Sequence, residues 1–176
     1  MIRTTAETLF LSQGVGNTSV NDIVAAAGIA KGTFYIYFKD RAELIDSVFS
    51  AYTARFVKSI ITDNINDPRI VKFSKSILAF FSKKPNQLYL SELRKDLLAG
   101  KEYNFTKDTV RALNTVITSY LTRSTADFAK PEIYTELLIT MTLEICNKAI
   151  FEKNILSRQE AESLLYDFFK RFFNCE

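Results

Sequence analysis

A short run near the N-terminus, from Lys31 to Arg41, holds the side chains best suited to act together chemically. Its sequence, KGTFYIYFKDR, mixes ammonium and guanidinium groups, hydroxyls and aromatic rings. Cations and hydroxyls donate hydrogen bonds to phosphate oxygens, and exposed apolar groups pack against the methyl group of thymine. This combination predicts a surface that contacts nucleic acid.

The sequence offers little that is suited to catalysis. It contains no histidine, which excludes Ser-His-Asp and Cys-His nucleophile arrangements and the zinc sites that use histidine. Gly14 and Gly16 have the first spacing of a dinucleotide-binding loop, but Ser19 stands where the third glycine belongs and no strand precedes them. We therefore expect a protein that is not an enzyme and that holds no metal or cofactor.

The whole chain has the composition of an ordered, helical protein. Its 176 residues are 47% hydrophobic and 24% charged, with only 5 Gly and 3 Pro, and its apolar residues recur every three or four positions. No segment keeps the two-residue alternation of a strand, so we predict an all-α fold. The predicted helices span residues 2–13, 20–27, 31–38, 41–61, 69–83, 86–99, 106–122, 131–153 and 158–173, with a polar break at 64–68.

Three features of the sequence indicate a cytoplasmic protein. The two cysteines, Cys146 and Cys175, lie far apart and form no C-x-x-C pair, so we expect both as reduced thiols. No basic and then apolar leader is visible at the N-terminus, and no apolar run approaches the roughly 20 residues that span a bilayer. We expect no membrane contact.

The stretch that begins at Ser19 has the spacing of a helix-turn-helix. Ser19 followed by Asp22 resembles a capping box that opens a helix, and Gly28 ends this helix because glycine tolerates the left-handed backbone of a sharp corner. Ile29 is the apolar residue of the turn, and the second helix of the motif begins two residues later. Asp40 is suited to cap the long helix that follows.

The second helix of this motif has two different faces. Phe34 and Phe38 are four residues apart, so both lie on one face. We expect that face to be buried against Ile23, Val24 and Leu44. The opposite face then points outward, with its cations, its hydroxyls and one branched apolar side chain.

Two residues of the outward face have no purpose in folding. An exposed Ile36 side chain does not stabilise the fold, but it can pack on a thymine methyl group in the major groove. Gly32 costs about 1 kcal/mol of helix stability relative to alanine, a cost that is explained if a DNA backbone comes close. The alternative interpretation is a merely solvated rim around Lys39 and Arg41.

The stretches TSVNDIV at 18–24 and AGIAKGTFYIYFK at 27–39 resemble the DNA-binding signature of the tetracycline-repressor (TetR) family. The resemblance implies a homodimeric, sequence-specific transcriptional regulator, a repressor that a small-molecule effector releases from operator DNA. It places a helix-turn-helix domain at 1–47 and a helical ligand-binding and dimerisation domain at 48–176. The DNA contacts that it implies come from Ser19, Val20, Lys31, Gly32, Thr33, Tyr35, Ile36, Tyr37, Lys39 and Arg41.

Two features affect the strength of the implied DNA contacts. Ala30 stands where members of the family often have serine, so the recognition helix lacks a side-chain cap. Residues 1–61 carry six Lys and Arg against five Asp and Glu, a net charge of +1, which is not the strongly basic footprint of a non-specific binder. Affinity would then depend on a few well-placed contacts and on dimerisation.

The last two predicted helices carry a large apolar surface. The final helix has a broad aromatic face, and the helix before it is apolar on more than one side, so it can face the core and a neighbour at once. Packed against their copies about a twofold axis, the two helices would form a four-helix interface, as is usual in the family. In the alternative interpretation, the aromatic face only closes its own domain. The predicted interface residues are Ile133, Leu137, Met141, Ile145, Leu164, Leu165, Phe168, Phe169 and Phe172.

A ligand pocket between the middle helices is expected from the resemblance alone. The aromatic content, 15 Phe and 8 Tyr, suggests an apolar or flat effector, with Arg94 or Glu144 as a polar anchor. Aromatic and aliphatic residues at helical spacing are, however, more often plain core. The predicted lining residues are Phe80, Phe81, Tyr89, Leu93, Tyr103, Phe105, Val116, Tyr120 and Met141.

Two other functions fit the same residues. One is a DNA-binding protein of this fold without ligand control, acting in nucleoid or division biology, which would bind many sites and no metabolite. The other is a helical protein-interaction module whose aromatic last helix meets a foreign partner. In that case, substitutions at Lys31 and Tyr35 would have no effect on the complex with the partner.

Overall fold

The structure is a computed structural model, and it describes residues 1–61, 70–100, 103–122 and 130–173. These residues form nine α-helices and no strand, which confirms the predicted all-α fold. In chain order the helices are α1 (Ile2–Gln13), α2 (Val20–Ala27), α3 (Lys31–Tyr37), α4 (Arg41–Phe56), α5 (Ile70–Phe81), α6 (Lys84–Ala99), α7 (Asn104–Leu121), α8 (Pro131–Phe151) and α9 (Arg158–Phe173).

Residues at the helix ends explain where α2 and α4 begin and where α2 ends. Ser19 Oγ accepts a hydrogen bond from the Asp22 N–H, and the Asp22 carboxylate accepts one from the Ser19 N–H, so the predicted capping box is present. Gly28 ends α2 with φ of 64°, a left-handed backbone that a side chain resists. Asp40 accepts a hydrogen bond from the Glu43 N–H at 2.8 Å and caps α4.

Helices α1 to α4 share a core, and this core determines which face of α3 points outward. Ala6 and Phe10 of α1 are at most 1% exposed. Ile23 of α2, Phe34 of α3 and Leu44 of α4 are 0% exposed. Each fully buried large apolar side chain contributes about 1.5–3 kcal/mol relative to an exposed one, so these residues hold the four helices in one arrangement.

Helix α4 joins the helix-turn-helix to the rest of the chain, because it packs against α1 and also against α6 and α7. The helix predicted over 41–61 is α-helical only to Phe56, and the last turn, Val57–Ile61, is a π-helix. With this wider turn, Phe56 and Ile60 are both at most 1% exposed. The predicted domain boundary, between residues 47 and 48, lies within α4 and remains a prediction.

A buried polar cluster ties α4 to α6 and α7. The Thr53 hydroxyl of α4 lies 3.0 Å from the Tyr89 hydroxyl of α6, which also bonds to the Thr109 hydroxyl of α7. Burial raises the pKa of Tyr89 to about 12, so the phenol keeps its proton at neutral pH. Because its hydroxyls bond to one another, the cluster holds the three helices in register.

The remaining sequence predictions concern the cysteines and the membrane. Cys146 is a buried free cysteine, and burial raises the pKa of its thiol, which therefore stays protonated. Cys175 and the predicted polar break at 64–68 lie outside the described residues. No described helix is long and apolar enough to cross a membrane.

Candidate nucleic-acid interface

The turn between α2 and α3 is held by backbone hydrogen bonds and one apolar residue. The Ile29 N–H donates to the Val24 carbonyl at 3.0 Å, and the Gly28 N–H donates to the Ala25 carbonyl at 3.2 Å. Ile29 itself is half-buried against the core. Helix α3 begins without a side-chain cap, as Ala30 predicts. The turn therefore connects two short helices in the way that places a recognition helix in the major groove.

Helix α3 has one buried face and one exposed face. Phe34 is 0% exposed, and its ring centroid lies 5.7 Å from that of the half-buried Phe38. Tyr35, Ile36 and Tyr37 are 51%, 78% and 67% exposed. The phenylalanines therefore anchor the helix, while the tyrosines and the isoleucine are free to meet a partner.

The other residues of the predicted contact surface lie around them. Lys31, Gly32 and Lys39 are exposed, and Thr33 is half-buried. A Cβ at Gly32 would meet no described protein atom within 4 Å, so packing within the described part of the chain does not require glycine. Its cost of about 1 kcal/mol would be explained by the close approach of an outside partner.

Thr33 and Tyr37 also line a groove that the sequence did not predict. Its other walls include Met1, Ile2 and Arg3, and its volume is about 330 Å³. Arg3 is exposed and places a further cation near α3. A lone cation in the first helix is too weak a signal to assign from sequence, because only the tertiary fold brings it beside the recognition helix.

The start of α2 differs from what was expected of a phosphate-binding position. The Ser19 hydroxyl donates a hydrogen bond to Asp22 Oδ2 at 2.7 Å and accepts one from the Asp22 N–H. Bonds from Ser19 lower the pKa of the Asp22 carboxyl, so a negative charge stands at this helix end at neutral pH. Val20 is half-buried against the core. Phosphate contacts by Ser19 and Val20 stay a prediction. The negative charge of the Asp22 carboxylate disfavours such contacts.

Arg41 has a structural task that the sequence did not predict. Its Nε donates to the Thr18 carbonyl oxygen at 2.8 Å, and its Nη2 donates to the Val15 carbonyl oxygen. These bonds hold the turn after α1 against the start of α4. Two of the five donors of the guanidinium are thereby engaged, and the phosphate contact of Arg41 stays a prediction.

Comparison with known proteins shows what the N-terminal part of the chain is similar to. Residues 2–48 match the family described as bacterial regulatory proteins, tetR family. The N-terminal part of the chain is therefore similar to the tetR family. A stretch of 41 residues is 42% identical to the HTH-type transcriptional regulator AcrR of Shigella flexneri, and it covers 23% of this chain and 19% of AcrR. The match thus spans about a fifth of that regulator's length.

Solved structures share the fold over nearly the whole chain. A putative tetR family transcription regulator from Shewanella sp. PV-4 aligns with a TM-score of 0.68 and 18% identity over 98% of this chain and 94% of that one. FadR from Bacillus subtilis, solved in complex with stearoyl-CoA, aligns with a TM-score of 0.69 and 16% identity over 98% of this chain and 96% of FadR. SmeT, the repressor of the Stenotrophomonas maltophilia multidrug efflux pump SmeDEF, aligns with a TM-score of 0.65 and 17% identity. The alignment covers 98% of this chain and 88% of SmeT. These identities show the fold, a helix-turn-helix followed by a helical C-terminal part.

Most of the residues predicted to line a ligand pocket belong to the packed core. The Tyr89 ring lies 6.0 Å from that of Phe105 and 6.2 Å from that of Phe81. Tyr120 packs in a different place, with its ring 5.7 Å from that of Phe173. These rings fill space between helices, so a lining role stays a prediction for them. The same holds for Leu93 and Val116, which are 0% exposed, whereas Phe80 is 7% exposed at the edge of the core and lines a surface groove.

Two of the predicted lining residues lie apart from these rings. Tyr103 is half-buried in a crevice of about 190 Å³ beside Asp96, whose Oδ1 has no hydrogen-bond partner among the described residues. Met141 is 44% exposed on the outer side of α8, so the prediction that it lines a pocket among the buried rings is wrong. The two predicted polar anchors are paired with each other, with Arg94 Nε 2.6 Å from Glu144 Oε2.

Three predicted dimer contacts are buried inside the chain. Leu165 and Phe169 of α9 are 0% exposed, and Ile145 of α8 is 8% exposed. The Phe169 ring lies 5.6 Å from that of Phe73 on α5, because this stripe of α9 packs on α5. The prediction is therefore wrong for these three residues, because their side chains close the chain's own core.

The other predicted interface residues form two stripes, each with four-residue spacing. The α8 stripe is 47%, 54% and 44% exposed at Ile133, Leu137 and Met141. The α9 stripe begins at Leu164, which is 47% exposed, and continues through the half-buried Phe168 and Phe172. We call these six residues the apolar stripes. Exposed apolar residues that line up on two neighbouring helices are typical of a protein-contact surface.

Proposed function

We propose that the protein is a homodimeric transcriptional repressor that binds operator DNA through α3 and is released by a small-molecule effector. The observation that carries the proposal is the two-faced recognition helix. Phe34 is fully buried, whereas Tyr35 and Ile36 are exposed beside Lys31. A helix anchored in this way can lie in the major groove, with cations and hydroxyls toward phosphates and an apolar group toward base edges.

The proposed dimer forms through the apolar stripes, whose exposed side chains support this part of the proposal. Two copies related by a twofold axis would pack their α8 and α9 helices into a four-helix interface. The two α3 helices of such a dimer reach half-sites about 34–36 Å apart. Two weak half-sites then act as one tight site, which suits a domain whose net charge over residues 1–61 is only +1.

Release by an effector would act through α4, which packs against α1 on one side and α6 and α7 on the other. An effector shifts the separation of the recognition helices only if it binds one arrangement more tightly than the other. Among the proteins of similar fold, FadR was solved with stearoyl-CoA and SmeT represses a multidrug efflux pump. By this analogy we propose a small apolar or aromatic effector.

A gel-shift assay on the DNA upstream of the protein's own gene tests the proposal. At moderate salt and without effector, we expect a sequence-specific complex with two copies of the chain. Tyr35→Ala should abolish it, and Thr115→Ala, which removes an exposed hydroxyl from α7, should not. A missing specific complex, or one that Tyr35→Ala leaves unchanged, would overturn DNA regulation through α3. A complex that persists across a broad metabolite panel would overturn effector release.

A further inference from the structure

A second cationic surface lies in a groove between the end of α4 and the turn from α5 to α6. Arg55, Lys58 and Lys83 line this groove together with Phe80 and Pro85, and its volume is about 650 Å³. No carboxylate is among the described residues that line it. We call it the α4 groove. Its volume falls within the range of about 300–1,000 Å³ that is usual for small-molecule sites.

The cations of the α4 groove are not neutralised by the described part of the chain. Lys58 and Lys83 are exposed and form no ion pair with a described residue. Arg55 instead rests on an aromatic ring, with its guanidinium carbon 4.2 Å from the centroid of Tyr52. Three like charges around one concave surface attract an anion, and the apolar floor beside them favours a ligand that also has an apolar part.

Arg55 is also one end of a series of contacts that reaches the helix-turn-helix. Tyr52 is 1% exposed, and its hydroxyl donates a hydrogen bond to Glu7 Oε1 at 2.5 Å. Glu7 belongs to α1, which packs against α2. Burial and the bond to Glu7 raise the pKa of Tyr52 to about 12, so the phenol remains a donor at neutral pH. A change at Arg55 is therefore two contacts away from α1, which in turn packs against α2 of the helix-turn-helix.

We propose that the α4 groove binds an amphiphile with an anionic head group, and that Arg55 signals its presence to α1 through Tyr52 and Glu7. The head group lies among the three cations, and the tail lies on Phe80 and Pro85. The anion draws the guanidinium from the ring face of Tyr52, which changes the position of the hydroxyl that holds Glu7. This inference rests on the proposed function, and it replaces the small apolar or aromatic effector given there with an amphiphile that carries an anionic head group.

Calorimetric titration of the full chain with dodecanoate, below its micelle concentration, tests the groove. We expect Lys58→Gln/Lys83→Gln to weaken binding at least about tenfold, because two charged contacts are lost. The matched control, Lys75→Gln/Lys84→Gln, removes two exposed charges that do not line the groove and should bind as the unmodified chain does. Dodecyltrimethylammonium, with the same tail and a cationic head, should bind at least about tenfold more weakly than dodecanoate. Inorganic phosphate, which has no tail, should bind more weakly still.

Two results would overturn the groove proposal. One is dodecanoate affinity that is equal in the groove variant and in its control. The other is equal binding of the cationic amphiphile, since the charges would then play no part.

The route to α1 has its own test, in Tyr52→Phe. This variant keeps the ring under Arg55 and removes only the hydroxyl that bonds to Glu7. We expect unchanged dodecanoate binding, together with loss of most of the dodecanoate-dependent weakening of operator binding seen in the unmodified chain. Operator release that is as complete in Tyr52→Phe as in the unmodified chain would overturn the route.

The two proposals fail in different ways. If the unmodified chain binds no operator, the proposed function fails, while calorimetry still reports on the groove. If the chain binds operator but its affinity for dodecanoate is the same with and without Lys58 and Lys83, the groove proposal fails and the proposed repressor function stands.

Discussion

Helix α3 and the pair α8 and α9 both expose apolar side chains, and the two surfaces differ in what stands beside those side chains. On α3, Tyr35, Ile36 and Tyr37 are at least half exposed, and the exposed cations Lys31 and Lys39 flank them. On α8 and α9, the apolar stripes repeat every four residues, so each runs unbroken along one side of its helix.

This contrast indicates which kind of partner each surface fits. Single apolar groups among hydrogen-bond donors suit DNA, whose phosphates accept from the donors and whose base edges carry a methyl group. A continuous apolar stripe offers no donors and is stabilised only when another apolar surface removes it from water. The exposure of apolar side chains does not by itself identify the partner of a surface. The polar groups that stand between those side chains identify it.

The largest expected effect separates the two faces of α3. Phe34→Ala removes a fully buried ring and should lower the free energy of unfolding by about 3–5 kcal/mol. Tyr35→Ala replaces the next residue, which is 51% exposed. It should change the free energy of unfolding by less than about 0.5 kcal/mol and abolish operator binding. Urea unfolding followed by circular dichroism measures the first effect and a gel shift the second. Equal destabilisation by both variants would contradict the assignment of faces.

The next largest effect concerns the apolar stripes. Leu137→Lys with Leu164→Lys places charges in the proposed interface and should raise the dimer dissociation constant at least about hundredfold, or about 3 kcal/mol. Leu98→Lys is the control, because Leu98 is 68% exposed on α6 and outside the stripes. Sedimentation equilibrium measures the dissociation constant. A dimer that tolerates the double variant as well as it tolerates the control would show that copies meet through another surface.

A smaller effect distinguishes two contacts within the DNA-binding face. Lys31→Ala should weaken operator binding by about 1–3 kcal/mol and reduce the salt slope by about 1 per subunit, since a phosphate contact is lost. Ile36→Ala should leave the salt slope unchanged and relax the preference for one base pair, since an apolar contact is lost. Binding titrations over a range of salt, on the operator and on single-base variants, measure both. Identical behaviour of the two variants would contradict their different roles.

Most helix limits could be predicted because their signals are local. Ser19 and Asp40 cap helices a few residues ahead of them, and Gly28 ends one through its own backbone. The burial of Phe34 could be predicted for the same reason, since its four-residue spacing from Phe38 is local, although the observed α3 ends at Tyr37. The family resemblance then supplied the contact surface on α3.

The errors come from contacts between residues distant in sequence. Leu164 and Leu165 are adjacent and chemically identical, yet one is 47% exposed and the other is 0% exposed. Periodicity cannot separate them, because the apolar arc of α9 is wider than the stripe that packs on α5. The phosphate contact of Arg41 stays a prediction, but its bonds to the carbonyl groups of Val15 and Thr18 were missed, because these residues lie 26 and 23 positions earlier in the sequence.

The smallest expected effect lies where the α8 stripe ends. One turn beyond Met141, Glu144 pairs with Arg94 at 2.6 Å and lies 3.7 Å from Lys148. The hydrogen bond from Arg94 is the main reason that the pKa of Glu144 is lowered from 4.5. A carboxyl whose pKa is lower in the folded chain stabilises the fold above its unfolded pKa, and that stabilisation is lost as the pH falls through the folded value.

Glu144→Gln should therefore lower the free energy of unfolding by less than about 1 kcal/mol at neutral pH, because both side chains are about one-third exposed. The difference from the unmodified chain should shrink as the pH falls below 4.5, and it should disappear once the carboxyl is protonated in both the folded and the unfolded state. Urea unfolding over a series of acidic pH values measures this difference. The variant should leave the dimer dissociation constant unchanged, because a charged cluster next to an apolar stripe marks the rim of an interface. A large change in that constant would mean that the subunit contact continues past Met141 into the Arg94 and Glu144 pair.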